Sequence, residues 1–191
     1  NSEDALDCFQ KAGDTITEEF FVAPFSKIQI EDEVTLVIKQ GDSQRVFIES
    51  GENLFNDIEV RVEGETLIVK DRNNCNLVRE YGITTAIVTA PDITAIRNSS
   101  SFEVRSEGLL SFPALSLVSN STAGPEDIKK SGDFYLNLNC QNLNVAANGS
   151  SVFYITGIAQ KATLSFEDEF PRFEGKNFLV ENLTVFQRSA N

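Results

Sequence analysis

The most constraining feature of this sequence is a two-residue alternation of apolar and polar side chains that recurs along most of the chain. Two stretches, VTLVIKQGDSQRVFIES from Val34 and IEVRVEGETLIVKD from Ile58, each contain two such runs separated by a turn at a glycine. A further run, ITTAIVTA, stops at Pro91. Period two is typical of β-strands, and no segment after residue 20 has the 3.6-residue period of an amphipathic helix. The sequence therefore predicts an all-β protein with a hairpin-rich N-terminal part.

After Pro91 a longer repeat replaces the hairpin pattern. Five six-residue segments have apolar side chains at positions one and three and a polar one at position two, and they begin at Ile93, Leu115, Leu143, Ala162 and Leu183. Their starts are 22, 28, 19 and 21 residues apart. One short coil cannot bury its apolar face alone, so such repeats stack as parallel strands. The prediction is a right-handed, single-stranded parallel β-helix, a solenoid.

Asparagine ends the first three of these segments, at Asn98, Asn120 and Asn148. Asparagine tolerates the left-handed backbone conformation of a sharp corner. Equivalent corners of stacked coils lie about 4.8 Å apart, so their amides can form a hydrogen-bonded ladder. We predict that these residues are structural corners. Each also begins an Asn-x-Ser/Thr pattern, and N-glycosylation is the alternative interpretation.

Charge is unevenly distributed along the chain, which has a net charge of −13. Residues 1–33 contain nine acidic and two basic side chains. We therefore divide the chain into an acidic, largely irregular leader (1–19) and a single β-helical domain (20–191), with coils and hairpins over 20–91 and regular coils over 92–191. So acidic a chain is a poor partner for nucleic acid or an anionic membrane. No apolar run reaches the roughly 20 residues of a transmembrane helix.

The three cysteines bear on the cellular compartment. Cys8 lies in the polar leader and Cys75 in a loop-like segment, whereas Cys140 lies in a strand-like run. We predict a Cys8–Cys75 disulfide and a free Cys140, which implies an oxidising compartment. The chain contains no Met, and its acidic start suits a tether that follows a cleaved signal or a lipid anchor in the precursor. Export to the periplasm, outer membrane or cell surface is expected. Three free thiols in a cytosolic protein is the alternative.

Residue types limit the chemistry. The chain has no His, which excludes Ser-His-Asp and Cys-His catalysis and most zinc sites. We expect no catalytic residue and no cofactor. The weak candidates for a metal site are Glu167, Asp168 and Glu169, whose carboxylates could bind Ca²⁺ or act as a glycosidase pair. Because neighbouring strand residues point to opposite faces, a solvated acidic turn is the other interpretation.

Several stretches together resemble the bacterial head-GIN-domain family, whose members are labelled autotransporter adhesins. The resemblance rests on GENL from Gly51, TAPDI from Thr89, the serial Asn-Ser corners and YITGIAQKATLSF from Tyr154. It extends from Phe20 to the C-terminus and implies a β-helical body, export and often a lipoprotein anchor. It supplies no catalytic residues. The chain departs from the pattern at its fourth corner, Glu167–Glu169, where the ladder is expected to break.

These observations favour an exported, non-enzymatic cell-surface or envelope protein that binds a glycan or a surface protein as an adhesin does. One alternative is a pectinase-like carbohydrate-active enzyme on a β-helix, although fold analogy alone is a weak argument for function. The other is a structural subunit of an envelope assembly. An open end of the solenoid would expose strand edges, so both a monomer and a dimer are compatible with the sequence.

Overall fold

A computed structural model of the chain describes residues 11–73, 82–121 and 129–189, and the regular secondary structure of these ranges is almost entirely β-strand. One 3-10 helix, Glu52–Asp57, interrupts the strands. The strands are β1 (Thr15–Phe20), β2 (Lys27–Asp32), β3 (Val34–Gln40), β4 (Arg45–Gly51), β5 (Ile58–Glu63), β6 (Thr66–Asp71), β7 (Thr84–Ala90), β8 (Ala95–Ser100), β9 (Val104–Leu110), β10 (Ala114–Ser119), β11 (Phe134–Ala147), β12 (Val152–Asp168) and β13 (Arg172–Ser189). The predicted all-β class is confirmed.

All thirteen strands of the described ranges belong to one sheet that closes nearly into a barrel. The strand order is β1-β4-β7-β3-β9-β11-β10-β8-β2-β6-β5, with β12 beside β11 and β13 beside β12. The long strands β11, β12 and β13 bend, so their first halves continue the side of β3 and β9 and their second halves the side of β8 and β10. We call these two sides the first stack and the second stack.

The predicted parallel β-helix is wrong, because the sheet mixes parallel and antiparallel pairs. Strand β4 runs antiparallel to both β1 and β7, and β5 runs antiparallel to β6. The β5–β6 pair is the hairpin that the sequence predicts at Gly64, whose φ of 59° fits a tight turn. Strands β3 and β4 also flank a predicted turn, but β7 lies between them. Neighbouring strands in a solenoid of identical coils are all parallel, so these antiparallel pairs are incompatible with that fold.

The core consists of columns of apolar side chains that run across the strands. In the second stack one column, in spatial order, contains Leu67, Ile28, Ile96, Leu117, Val145, Leu164 and Val185. In the first stack Phe134 and Phe153 lie in register with their ring centroids 4.6 Å apart. Inward side chains of the two stacks form one apolar cluster. Burial of these columns therefore couples the two stacks.

The 20-residue repeat is in register for four of its five segments. Leu115 pairs with Leu143, Leu143 with Ala162, and Ala162 with Leu183, as the alignment predicts. The first segment is displaced by one residue, because Leu117 pairs with Ile96 rather than with Ala95. A one-residue shift exchanges the two faces of a strand. The shift places the larger Ile96 side chain in the core, where it is fully buried, and leaves Ala95 partly exposed.

The N-terminal region enters the sheet earlier than the predicted leader boundary. Strand β1 begins at Thr15, inside the segment 1–19, and pairs along its whole length with β4. Its glutamates lie on the surface, and Glu19 forms an ion pair with Arg45 at 2.9 Å. Within the described ranges, no helix is long and apolar enough to cross a membrane.

Candidate binding surface

Two tyrosines stack on the outer side of the first stack. Tyr135 of β11 and Tyr154 of β12 are paired in register, with ring centroids 4.7 Å apart and ring planes inclined by 7°. Neighbouring strands have about this spacing, so paired outward tyrosines stack without adjustment. Each ring covers one face of the other and holds it in a fixed orientation, an arrangement worth about 0.5–1.5 kcal/mol. Tyr135 remains 42% exposed, so a ligand meets ring edges and phenol hydroxyls.

Polar side chains surround this pair on the same face. Across the sheet, Arg105 of β9 pairs with Tyr135, and Glu174 of β13 pairs with Tyr154. Two residues further along the same strands, the hydroxyl oxygen of Thr156 lies 3.3 Å from the side-chain oxygen of Asn137. Planar amide, carboxylate and guanidinium groups next to aromatic rings provide directed hydrogen bonds around a rigid centre. We call the face that contains Tyr135, Tyr154 and these neighbours the tyrosine face.

A concavity of about 350 Å³ adjoins Tyr135. It is lined by Thr35, Ser101, Phe102, Glu103, Ser131, Asp133 and Tyr135. Three aliphatic hydroxyl groups, one phenol and two carboxylates thus surround it, beside two aromatic rings. One oxygen of Asp133 is already fixed, because it accepts a 2.7 Å hydrogen bond from the backbone N–H of Val152. The described residues that line the concavity present many hydrogen-bond acceptors and include no basic side chain, which disfavours an anionic ligand.

The same surroundings raise the pKa of Tyr135 above its ordinary value. Partial burial disfavours the phenolate, and the negative charge of Asp133, which also shares a hydrogen bond with the phenol, acts in the same direction. The phenol therefore stays protonated, as a hydrogen-bond donor, throughout the neutral pH range.

The chain has three tyrosines, and we expect the Tyr135→Phe variant to lose only the share of the tyrosinate absorbance that belongs to Tyr135, which should develop above pH 10, the ordinary value for this side chain. Because the folded-state pKa is raised, the associated stability is complete below the unfolded-state pKa and is lost as pH rises above it. The wild-type chain should therefore lose stability above that pH more steeply than the variant. Ultraviolet titration and denaturation at several alkaline pH values measure both effects. If the absorbance that the variant lacks were absorbance that develops below pH 10 in the wild type, the assignment would be wrong.

The three asparagines predicted as corners occupy different environments. Asn98 is buried in β8, where it accepts a hydrogen bond from the N–H of Ser100 and donates one to the carbonyl of Phe102. Asn148 is also buried, and its amide bonds to both the N–H and the hydroxyl of Ser121. The two amides thus form hydrogen bonds with backbone groups near the end of a strand, and not with each other as the predicted ladder requires. A glycan on buried Asn98 would have no space in the folded chain.

Their register explains why a single ladder through all three does not form. Asn120 and Asn148 follow the paired residues Ser119 and Ala147 and lie at one level. Asn98 lies one residue out of step, because Arg97 pairs with Val118. Among the described non-glycine residues, the left-handed conformation occurs at Asp32 and Asp168, with φ of 61° and 60°.

The acidic turn at Glu167–Glu169 does not bring its carboxylates together on one partner. Glu167 lies 3.7 Å from Arg188, whereas Glu169 lies 3.4 Å from Lys130. Asp168, between them, occupies the left-handed turn position, and all three are exposed. In the described part of the chain, no group of three acidic or cysteine side chains is arranged to hold a metal ion.

The cysteines divide between described and undescribed segments. Cys140 is a free, buried thiol at the bend of β11, and burial raises its pKa, which makes it a poor nucleophile. Cys8 and Cys75 lie outside the described residues, so their disulfide stays a prediction.

Comparisons with known proteins agree with the resemblance noted in the sequence. The family described as "Putative auto-transporter adhesin, head GIN domain" matches residues 24–191. A putative adhesin from Bacteroides fragilis is 15% identical, with 92% of this chain and 97% of that chain covered and a TM-score of 0.60. A putative adhesin from Parabacteroides distasonis is 12% identical, with 91% and 78% covered and a TM-score of 0.61.

A third solved structure carries a different description. It is a putative lipid binding protein, also from Parabacteroides distasonis, with 11% identity, 93% and 96% coverage and a TM-score of 0.55. At such identities these likenesses show a shared fold. No curated protein matched this chain significantly.

Proposed function

The chain belongs to the head GIN domain family, and on that premise we propose that it is an exported, non-enzymatic protein that acts in adhesion by binding a glycan through the tyrosine face. The observation that carries the glycan part is the concavity beside Tyr135, where four hydroxyls, one of them the Tyr135 phenol, and two carboxylates adjoin aromatic rings. Polyhydroxylated ligands need many directed hydrogen bonds and a rigid aromatic surface, and this lining offers both. In this proposal the domain predicted over residues 20–191, extended at its N-terminal end by the rest of strand β1 from Thr15, is the binding domain.

Charge narrows the class of glycan. Glu103 and Asp133 line the concavity, and the chain as a whole carries −13. Burying a sugar carboxylate or sulfate against these groups would be unfavourable, so neutral or amino sugars are the favoured ligands. The stacked rings also favour binding, because their orientation is fixed before the ligand arrives and little side-chain freedom is lost.

We expect the folded chain to retain neutral or amino-sugar glycans on a glycan array, and the Tyr135→Ala variant to bind them at least about tenfold more weakly. The reason is that truncation of a central aromatic residue commonly costs about 2 kcal/mol of binding energy. Calorimetric titration with the best array ligand measures the affinity. The matched control is Phe21→Ala, which removes an aromatic ring that is 93% exposed and lies outside this face.

Two results would contradict the proposal. Equal affinity of the wild type and Tyr135→Ala would exclude the tyrosine face, and retention of acidic glycans alone would exclude the predicted ligand class. Hydrolysis of the bound glycan by the wild type would instead support the carbohydrate-active enzyme. A protein ligand captured with no glycan retained would also contradict the proposed ligand.

A further inference from the structure

Strand β13 forms an open edge of the sheet. It has 18 residues and pairs only with β12 among the described strands. An open edge exposes backbone N–H and C=O groups that a further strand can bind. Within residues 11–73, 82–121 and 129–189, no strand covers the core columns beyond this edge.

Side-chain exposure changes abruptly at this strand. The column that contains Leu117, Val145 and Leu164 is at most 5% exposed up to Leu164, and then Val185 is 50% exposed. The neighbouring column through Leu115, Leu143 and Ala162 ends at Leu183, which is 54% exposed. Leu179 and Phe186 of the same strand are also exposed. Apolar side chains concentrated on one edge in this way mark an interaction site more often than a solvated surface.

The opposite end of the sheet is protected differently. The edge strand β5 carries Glu59, Arg61 and Glu63, and Arg61 forms ion pairs with both glutamates at 3.0 and 2.9 Å. Charged side chains on an edge prevent pairing with another chain. The β13 stretch FLVENLTVFQ, residues 178–187, contains a single charged residue, Glu181. The two edges therefore differ in their capacity to accept a strand.

We propose that a second copy of this chain covers the β13 edge, through antiparallel pairing of the two β13 strands about a twofold axis at Thr184. Antiparallel pairing centred on Thr184 sets Leu183 of one copy opposite Val185 of the other. Directly opposite residues point to the same face of a sheet, so both core columns continue across the contact. The contact is self-complementary, as a twofold interface must be.

Electrostatics favours a copy of the same chain at this strand over one at other surfaces. Two molecules of charge −13 repel each other. The segment that pairs in this register, residues 179–189, is an exception to that acidity, because its one basic residue, Arg188, balances its one acidic residue, Glu181. Two copies that approach through this segment therefore oppose less like charge than the net charge of −13 would imply.

Charge substitution at the proposed axis tests both the partner and the register. The hydroxyl side chain of Thr184 points outward and is exposed, so the Thr184→Glu and Thr184→Lys variants should fold as the wild type does. In the proposed dimer residue 184 meets itself, so each variant alone opposes like charges and should dissociate, with a dissociation constant raised at least about tenfold. An equimolar mixture of the two variants pairs opposite charges and should restore a dimer.

Sedimentation velocity between about 1 and 100 µM, at physiological salt, measures these states, with circular dichroism to verify folding. Phe21→Lys, a charge added at an exposed apolar position elsewhere, should leave the dimer unchanged. A wild-type monomer at every concentration overturns the proposal and favours another chain segment or another protein at this edge. Wild-type-like dimers of both single variants, or no dimer in their mixture, overturn it equally. Because Tyr135 lies outside the contact, loss of glycan binding would not affect these outcomes.

Discussion

Replacing Phe153 with alanine is expected to lower the free energy of unfolding by about 3–5 kcal/mol, a large part of the stability of a single domain. The ring is fully buried in β12. It stacks on Phe134 of the neighbouring strand and lies 6.1 Å, between ring centroids, from Phe166 of its own strand. Phe153 belongs to the first stack and Phe166 to the second, so the ring joins the two sides of the core. Its removal leaves a cavity that the paired backbones cannot close.

Denaturant unfolding monitored by circular dichroism measures this change. Phe21→Ala is the matched control, because it deletes the same ring at a position that is 93% exposed, and it should change the stability by less than about 0.5 kcal/mol. The slope of the transition should be the same in wild type and variants if unfolding remains two-state. A Phe153→Ala loss below about 1 kcal/mol would show that the two stacks do not depend on this contact.

The local alternation of apolar and polar residues was sufficient to predict many of the strands and some of the pairs that they form. The β5–β6 hairpin could be predicted because its alternating runs are joined by a short turn at Gly64, and nearby segments are the first to meet. The register from Leu115 through Leu143 to Ala162 also followed from the repeat, since it aligns these apolar positions and a one-residue slip would turn them to the outer face. These are pairings in which local sequence and tertiary structure agree.

Pairings decided by distant segments could not be predicted in the same way. Strand β7 lies between β3 and β4, although the turn after β3 suggests that these two strands are direct neighbours. Nothing within residues 34–51 encodes this insertion, because it depends on how β7 fills the space beside both. The shift at Ile96 has the same origin. Its column is set by Ile28 and Leu117, which flank it in space and are far away in sequence.

The tyrosine face had a signal in the sequence that the repeat alignment did not use. The dipeptide Phe-Tyr occurs at residues 134–135 and again at 153–154, the same 19-residue interval that separates Leu143 from Ala162. Equal intervals place both dipeptides in register, with Phe inward and Tyr outward. The concavity beside Tyr135 had no such signal, because it also needs Thr35 and Ser101 from other strands and turns.

A buried carboxylate connects three strands at the other end of the first stack. Asp71, the last residue of β6, accepts hydrogen bonds from the hydroxyl of Thr84 at 2.6 Å and from the backbone and side-chain N–H groups of Asn73 at 2.9 and 2.7 Å. The Thr84 hydroxyl lies 2.8 Å from that of Ser50 in β4. All four side chains are buried. Water cannot readily replace a lost partner in this group, so its hydrogen bonds matter more than exposed ones.

Replacing Asp71 with alanine should therefore lower the free energy of unfolding by about 3 kcal/mol or more, because buried donors on Thr84 and Asn73 lose a charged acceptor. Asp71→Asn keeps an acceptor oxygen and nearly the same volume, so it should cost clearly less. Asp42→Ala, at an exposed turn, is the control and should leave the stability nearly unchanged. Denaturant unfolding of the three variants gives the ranking. If Asp71→Ala were no less stable than Asp71→Asn, the carboxylate would be filling space and its hydrogen bonds would contribute little to the fold.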